Sequence, residues 1–210
     1  MRGRSKVNIF PLLGDLSLLV IAFFIIIVFL QQLTILKSEN PILIPTDTYF
    51  NSGKYELNAE KEKELKNYLY NIKIKDQDIF SIFKDGNIKM IRIEGHTDDN
   101  RPTDSNRVWK TNRELSLFRA NTICTLFEEM AKESIDDKNK VKEFKSKLFP
   151  GGYGEFIRYA RIFHPDSAGR HEVVTSDGKS IGHFDEMEKA IKERDALNRR
   201  IEISIINKKK

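Results

Sequence analysis

The sequence predicts an α+β protein, in which one apolar N-terminal segment precedes a polar domain of strands and helices. The apolar segment, within residues 9–33, is long enough to cross a membrane. Apolar residues recur every three or four positions in 58–72 and 111–130, which is typical of amphipathic helices. They alternate with polar residues in 87–95 and 199–206, which is typical of half-buried strands.

The first element is the apolar segment, and its flanking charges predict its orientation. The 22 residues Ile9–Leu30 would form a helix about 33 Å long, enough to span a bilayer core. Arg2, Arg4 and Lys6 precede it, and positive charge favours the cytoplasmic side. We therefore predict that the N-terminus is cytoplasmic and that the rest of the chain is exported.

A cleaved signal peptide is the alternative, but no A-x-A-like site follows the apolar run. The sequence therefore predicts a cytoplasmic N-terminus over 1–8 and an uncleaved transmembrane helix over 9–33. Pro41 and Pro45 indicate an extended linker over 34–48.

Asp15 is the single charged residue of the run Gly14–Leu30. A carboxylate inside a membrane is costly, so it typically marks an ion path, whereas snorkelling to the cytoplasmic interface is the alternative. On a helix Asp15 shares one face with Leu19, Ala22 and Ile26. One helix cannot form a path alone, so this predicted pore-helix face requires partner helices.

The domain predicted over 49–210 has start signals for each of its helices. Asn58 is an N-cap candidate for the first helix, Thr111 and Glu114 match a capping box for the second, and Asp185 is a cap candidate for the third. The first helix is predicted to bury Leu65, Tyr68, Leu69 and Ile72. The second is predicted to bury Ala120, Ile123, Phe127 and Met130.

The strands of this domain follow from two-residue periodicity. Ile91 and Ile93 share one face of a strand, and Ile201, Ile203 and Ile205 share one face of another. Between these two strands in the sequence, the pair Asp177–Gly178 indicates the turn of a separate hairpin. The predicted order is β-α-β-α-β.

Composition excludes several kinds of function. The 36 Lys and Arg against 31 Asp and Glu are scattered, so no nucleic-acid partner is predicted. Cys124 is alone, which excludes an intramolecular disulfide and predicts a buried thiol. The histidines match no zinc spacing, so we predict no metal site and place them at the surface or in loops; they are His96, His164, His171 and His183.

Four motifs then carry a family resemblance. They are IRIEGHTDD from Ile91, NRELSLFRA from Asn112, GGYGE from Gly151 and NRRIEI from Asn198. In this order they resemble the OmpA C-terminal peptidoglycan-binding domain, with its G-H-T-D, N-x-x-L-S-x-x-R-A, G-x-G and N-R-R-x-E pattern. The resemblance covers most of 50–206 and implies an OmpA-like βαβαβ fold with peptidoglycan as partner.

The resemblance also implies a binding site. In this family the Asp of the first motif and the Arg of the second hold the diaminopimelate of the cell-wall stem peptide, which implies Asp98 and Arg119 here. The chemistry fits, because Asp98 can receive an ammonium and Arg119 can fork onto a carboxylate. A structural salt bridge between these two residues is the alternative. The implied set is Thr97, Asp98, Asn112, Leu115, Ser116, Arg119, Asn198 and Arg199.

Helical spacing adds one expectation to this site, and the loop before it departs from the family. Asn112, Ser116 and Arg119 fall on one polar stripe, predicted opposite the core face of the helix. The loop over 99–111 is longer than the family's usual loop and lacks its glycine.

The apolar segment carries a second resemblance. GDLSLLVIAFF is similar to the membrane helix of MotB-type stator subunits, with Phe23 and Phe24 eight and nine residues after Asp15. Joined to an OmpA-like domain, it implies that Asp15 carries protons or sodium ions in a rotary motor of the bacterial inner membrane. The family implies two copies inside a ring of MotA- or ZorA-like subunits, with no other cofactor.

Alternatives remain for the function. The short connection between span and domain also resembles ZorB of Zorya anti-phage systems, whereas a flagellar MotB-like subunit is the alternative motor. A passive OmpA-like anchor between membrane and wall is a further alternative, but an anchor would not require the carboxylate of Asp15. An enzyme would use Glu94, Asp98 and Asp99, but the resemblance explains Asp98 without catalysis, so we predict no enzymatic activity.

Overall fold

The computed structural model describes residues 20–27, 41–74, 76–98, 108–155, 157, 159–163 and 168–208. The chain divides into two units, Met1–Glu39 and Asn40–Lys210. In the first unit the described residues 20–27 are helical and form α1. Among the described residues, no helix has the length and apolar character that a membrane crossing requires. Most of the span predicted over 9–33 lies outside the described residues.

The second unit is built on a four-stranded mixed sheet with the order β1-β7-β2-β3. Strand β7 pairs antiparallel with both β1 and β2, and β3 pairs parallel with β2. The strands are β1 (Ile42–Pro45), β2 (Ile88–His96), β3 (Leu148–Gly154) and β7 (Arg200–Asn207). Together with its helices, this sheet confirms the predicted α+β class.

Helix α5 packs against β2 and β3, and the buried apolar side chains of α5 belong to the hydrophobic core of this unit. The helices of this unit are α2 (Thr46–Tyr49), α3 (Ala59–Asn71), α4 (Ile79–Lys84), α5 (Asn112–Ser134), α6 (Lys138–Lys145) and α7 (Met187–Asn198). The residues predicted for the core face of α5 are at most 1% exposed. The Cys124 thiol is also buried, as predicted, and burial raises its pKa to about 12.

The two predicted helix starts at Asn58 and Thr111 are confirmed. The Asn58 side chain accepts from the Lys61 backbone N–H at 2.8 Å, and Thr111 forms a complete capping box with Glu114. Of the predicted core face of α3, Leu65 and Leu69 are buried, whereas Tyr68 is 40% exposed. Tyr68 instead contacts the Tyr49 ring, so the prediction that it belongs to the core is wrong.

A second sheet of three antiparallel strands lies between β3 and α7 in the sequence. Its order is β4-β5-β6, formed by Ala160–Phe163, His171–Thr175 and Ser180–Phe184. The hairpin turn at Asp177–Gly178 is confirmed, with Gly178 at a φ of +83°. Helix α7 packs on this sheet, but its N-cap is Glu186 and not Asp185 as predicted.

Two strands of the main sheet differ from the prediction. The segment Ile42–Pro45 was expected in the linker over 34–48, yet it pairs with β7 as β1. Strand β3 was not predicted, because it contains Pro150 and three glycines. Both strands lie at a sheet edge, where proline is tolerated since no partner needs its missing N–H. The sequence analysis therefore identified neither edge strand of the main sheet.

Helix α5 approaches the sheet very closely where β2 and β3 carry glycine. A Cβ added at Gly95 would lie 2.0 Å from the Ser116 carbonyl oxygen, and one at Gly152 would lie 2.6 Å from the Arg113 oxygen. The Ser116 hydroxyl accepts from the Gly154 N–H at 3.0 Å and so completes this contact. The glycines of the first and third motifs thus allow α5 to lie on the sheet.

Candidate functional site

The candidate site lies where β2 ends, and the two motif residues that follow this strand are held by backbone contacts. The Thr97 N–H donates to the Gly154 carbonyl at 3.0 Å. The Asn112 side-chain amide donates to the Asp98 carbonyl at 3.1 Å, which ties the start of α5 to the end of β2. The Thr97 hydroxyl is buried and has no hydrogen-bond partner among the described residues.

The charged centre of the site is an ion cluster around Arg199. Its Nη1 lies 2.6 Å from Asp98 Oδ2, and its Nη2 lies 2.7 Å from Asp47 Oδ2. Burial would lower the pKa of the Arg199 guanidinium, but hydrogen bonds to the two carboxylates outweigh burial and raise it. The site therefore joins opposite charges from α2, the end of β2 and the start of β7.

Arg119 lies beside this cluster but is engaged with backbone. Its Nε donates to the Lys54 carbonyl at 2.9 Å, and its guanidinium lies 5.4 Å from the centre of the Phe50 ring. Burial lowers the pKa of Arg119 to about 10, although Asp47 and Asp98 oppose this effect. Arg119 is 4% exposed and holds the segment between α2 and α3 in place.

A structural salt bridge between Asp98 and Arg119 was the alternative to ligand binding, and the structure pairs Asp98 with Arg199. The ion pair that the structure gives Asp98 is with Arg199, a residue predicted only to close the pocket. Arg119 contributes charge to the neighbourhood of Asp98 without being that partner.

The predicted polar stripe of α5 does not face solvent. Asn112, Ser116 and Arg119 are 7%, 0% and 4% exposed, so the prediction that they form a stripe opposite the core face of the helix is wrong. These residues are buried because the close contacts at Gly95 and Gly152 place this side of α5 against the sheet. Leu115 is also buried, at 4% exposure.

Asn198 has a structural role that the motif alone does not reveal. Its side-chain oxygen accepts from the Tyr159 and Ala160 N–H groups at 2.8 and 2.9 Å, and its amide donates to the Ala160 carbonyl at 3.2 Å. These three hydrogen bonds fasten β4 to the end of α7. We therefore leave Asn198 and Ser116 out of the proposed binding surface.

Sequence analysis missed two contributors to the site. Asp47 lies in the segment assigned to the linker, and it binds Arg199 across 152 residues of sequence. Trp109, 4% exposed, donates from Nε1 to the Gly53 carbonyl at 3.1 Å, close in sequence to the carbonyl that Arg119 binds. The one local signal for Asp47 is its place two residues after the apolar stretch Ile42–Pro45.

Other predicted site residues belong to the first unit. Asp15 and Leu19 lie outside the described residues. Ala22 and Ile26 lie in α1 and are exposed in the single chain, Ile26 by 55%. Within the described part of the chain, no cluster of three or more His, Cys, Asp or Glu residues could hold a metal ion.

His96, two residues before Asp98, is buried in β2, so its predicted surface position is wrong. Its ring stacks on Tyr153 and is 2% exposed. Burial, together with the charge of Arg200, lowers the pKa of the His96 imidazole to about 4, against an opposing effect of Glu202. His96 is therefore neutral in the folded protein at pH 7.

Acid should destabilise the protein through His96. The unfolded chain binds more protons than the folded chain between pH 6.5 and 4, so the free energy of unfolding falls as the pH falls through that window. One pH unit corresponds to about 1.4 kcal/mol, which makes the loss on the order of 3 kcal/mol. Urea unfolding of the wild type and of His96→Asn at several pH values measures it. Equal pH dependence in both proteins would contradict the role of His96.

Comparisons with known proteins give solved structures alone: no family model and no curated protein matches the chain. The periplasmic domain of Helicobacter pylori MotB (residues 78–256) is 16% identical over 82% of this chain and 80% of that one, with a TM-score of 0.46. The cell wall anchor of the T6SS from Pseudomonas aeruginosa is 18% identical over 80% of this chain and 81% of that one, with a TM-score of 0.45.

The OmpA-like domain of FopA1 from Francisella tularensis is 17% identical over 83% of this chain and 88% of that one, with a TM-score of 0.34. Identity and TM-score are low in all three comparisons. The solved structures to which this chain is similar thus include MotB periplasmic domains and OmpA-like domains.

Proposed function

We propose that residues 41–208 bind peptidoglycan through the ion cluster at the end of β2. The observation that carries this proposal is the placement of a carboxylate, Asp98, 2.6 Å from a guanidinium, Arg199, at the end of a central strand. Diaminopimelate presents an ammonium and a carboxylate on one carbon. Asp98 matches the first group and Arg199 matches the second in charge and in hydrogen-bonding geometry.

Burial adds support to this proposal. The Asp98 side chain is 11% exposed and that of Arg199 is 25% exposed, so a ligand that binds them is partly removed from water. Hydrogen bonds between charged groups contribute more there than on an open surface. The Thr97 hydroxyl, adjacent in sequence, offers a further polar group.

Arg119 takes a supporting role in this proposal. Its hydrogen bond to Lys54 and its stacking on Phe50 hold the segment after α2 beside the cluster. Arg119 is therefore a positioning residue, while Arg199 receives the carboxylate that the family resemblance assigned to Arg119.

Loss of the Asp98 charge should abolish most wall binding. We expect Asp98→Asn to lower the fraction of the full-length, detergent-solubilised chain that pellets with purified sacculi. A charge-assisted hydrogen bond contributes about 1.5–3 kcal/mol, so the affinity should fall roughly 10- to 100-fold. Asp136→Asn is the matched control, because Asp136 is exposed, precedes α6 and carries the same charge. Wild-type pelleting by Asp98→Asn, with an unchanged melting temperature, would place the binding site elsewhere.

The N-terminal segment extends the proposal from an anchor to a motor. Asp15 occurs in a run of apolar residues that is long enough to cross a membrane. An ion that neutralises Asp15 lowers the cost of placing this side chain against apolar partner helices, and release restores the charge. Protons or sodium ions would then drive cyclic contact with a ring of MotA- or ZorA-like subunits around two copies of this chain.

The proposed location is the bacterial inner membrane, with the N-terminus in the cytoplasm and the wall-binding domain outside it. A ZorB-type role in anti-phage defence is favoured by the short stretch between the apolar run and β1. A flagellar MotB-like subunit is the alternative motor, and a passive anchor is the alternative without ion flow.

A further inference from the structure

Arg199 binds its two carboxylates in different ways. Its Nε lies 2.9 Å from both oxygens of Asp47, and its Nη2 lies 2.7 Å from Asp47 Oδ2. Its third nitrogen, Nη1, donates to Asp98 Oδ2 at 2.6 Å. Asp47 thus occupies the side of the guanidinium with which arginine binds a free carboxylate in a forked geometry.

The two carboxylates also differ in how firmly they are held. The Asp98 side chain is 11% exposed and follows the central strand β2, with its carbonyl bound by Asn112. The Asp47 side chain is 53% exposed and lies on the four-residue helix α2, after the edge strand β1. Exposed ion pairs contribute little to stability, so Asp47 is the partner that another carboxylate can replace.

We infer that Asp47 is an internal competitor for the wall ligand, occupying the place on Arg199 that the ligand's carboxylate takes. This inference rests on the proposed function, because it assigns regulation to the same site. Binding then exchanges one carboxylate for another on Arg199, while the ligand's ammonium meets Asp98. A ligand that lacks the carboxylate does not displace Asp47, so Asp47 weakens the binding only of ligands that carry both charges.

Removing the competing charge should strengthen binding. We expect Asp47→Asn to bind the tripeptide L-Ala-γ-D-Glu-meso-diaminopimelate about two- to fivefold more tightly than the wild type, the factor that matches an exposed ion pair. The tripeptide that ends in L-Lys lacks the second carboxylate and should show no such gain. Calorimetric titration of the full-length chain in detergent measures both affinities.

Two controls separate competition from other effects. Asp136→Asn changes the net charge equally and should bind like the wild type, while Asp47→Ala should show the same gain as Asp47→Asn. Equal or weaker binding by both Asp47 variants, with unchanged melting temperatures, would overturn the inference.

The failure of the proposed function is distinguishable from the failure of this inference. If the wild type does not bind the diaminopimelate peptide, both are overturned. If the wild type binds and Asp98→Asn weakens binding, but neither Asp47 variant gains affinity, then the inference alone is overturned.

Discussion

Gly95→Ala should unfold or severely destabilise the unit Asn40–Lys210. The added methyl group would lie 2.0 Å from the Ser116 carbonyl oxygen, which is backbone of α5 and cannot rotate away. Overpacking costs about 1–3 kcal/mol when side chains can adjust. A clash with helix backbone must move α5 off β2, so we expect a loss of at least about 3 kcal/mol, a large part of an ordinary domain's stability.

Gly151→Ala is the matched control in the neighbouring strand. Its nearest contact would be the Tyr153 side chain at 3.4 Å, an ordinary van der Waals distance, so the free energy of unfolding should change by less than about 1 kcal/mol. Urea unfolding followed by circular dichroism compares the two variants. Similar midpoints for Gly95→Ala and the wild type would show that the helix does not depend on this close approach.

Under the proposed motor function, Asp15→Asn should abolish function and leave the protein at normal abundance in the membrane. Asparagine keeps the size and hydrogen-bonding groups of the side chain but does not ionise, so no ion can neutralise it. Insertion should become easier, since a charge in hydrocarbon is removed. Phage plating or swimming, whichever process the neighbouring genes indicate, measures function beside an immunoblot of the membrane fraction.

Asp15→Glu tests whether the position of the carboxylate matters in addition to its charge. It keeps a titrating carboxylate on a longer side chain, so we expect partial activity at most. A passive wall anchor needs no ionisation at Asp15, and full function of Asp15→Asn at wild-type abundance would therefore favour the anchor over the motor.

The elements that could be predicted from the sequence are those specified by neighbouring residues. The capping box of Thr111 and Glu114 lies within one helical turn, and the apolar spacing after it shows which side of α5 is buried. The turn at Gly178 likewise depends on its own backbone preference. These signals need no knowledge of the rest of the fold, and the structure confirms them.

The candidate site could be predicted only in part, because its contacts join distant parts of the sequence. Asp47 and Arg199 are 152 residues apart, and β1 is too short to show a periodic pattern. The family resemblance implied that Asp98 and Arg199 contact a ligand, but not that they form an ion pair with each other. The buried positions of His96 and Ser116 follow from helix-to-sheet packing, which local periodicity does not report.

The register of β1 would have a mechanical consequence if the chain binds the wall as proposed. Ile42 pairs with Ile203 and Pro45 with Arg200, so the chain enters the sheet at one end of β1 while Asp98 and Arg199 lie beyond the other. Tension between a bound wall and the preceding chain would then run along the strand. Such a force shears β1 against β7. The hydrogen bonds between these two strands then bear the force together instead of breaking one after another.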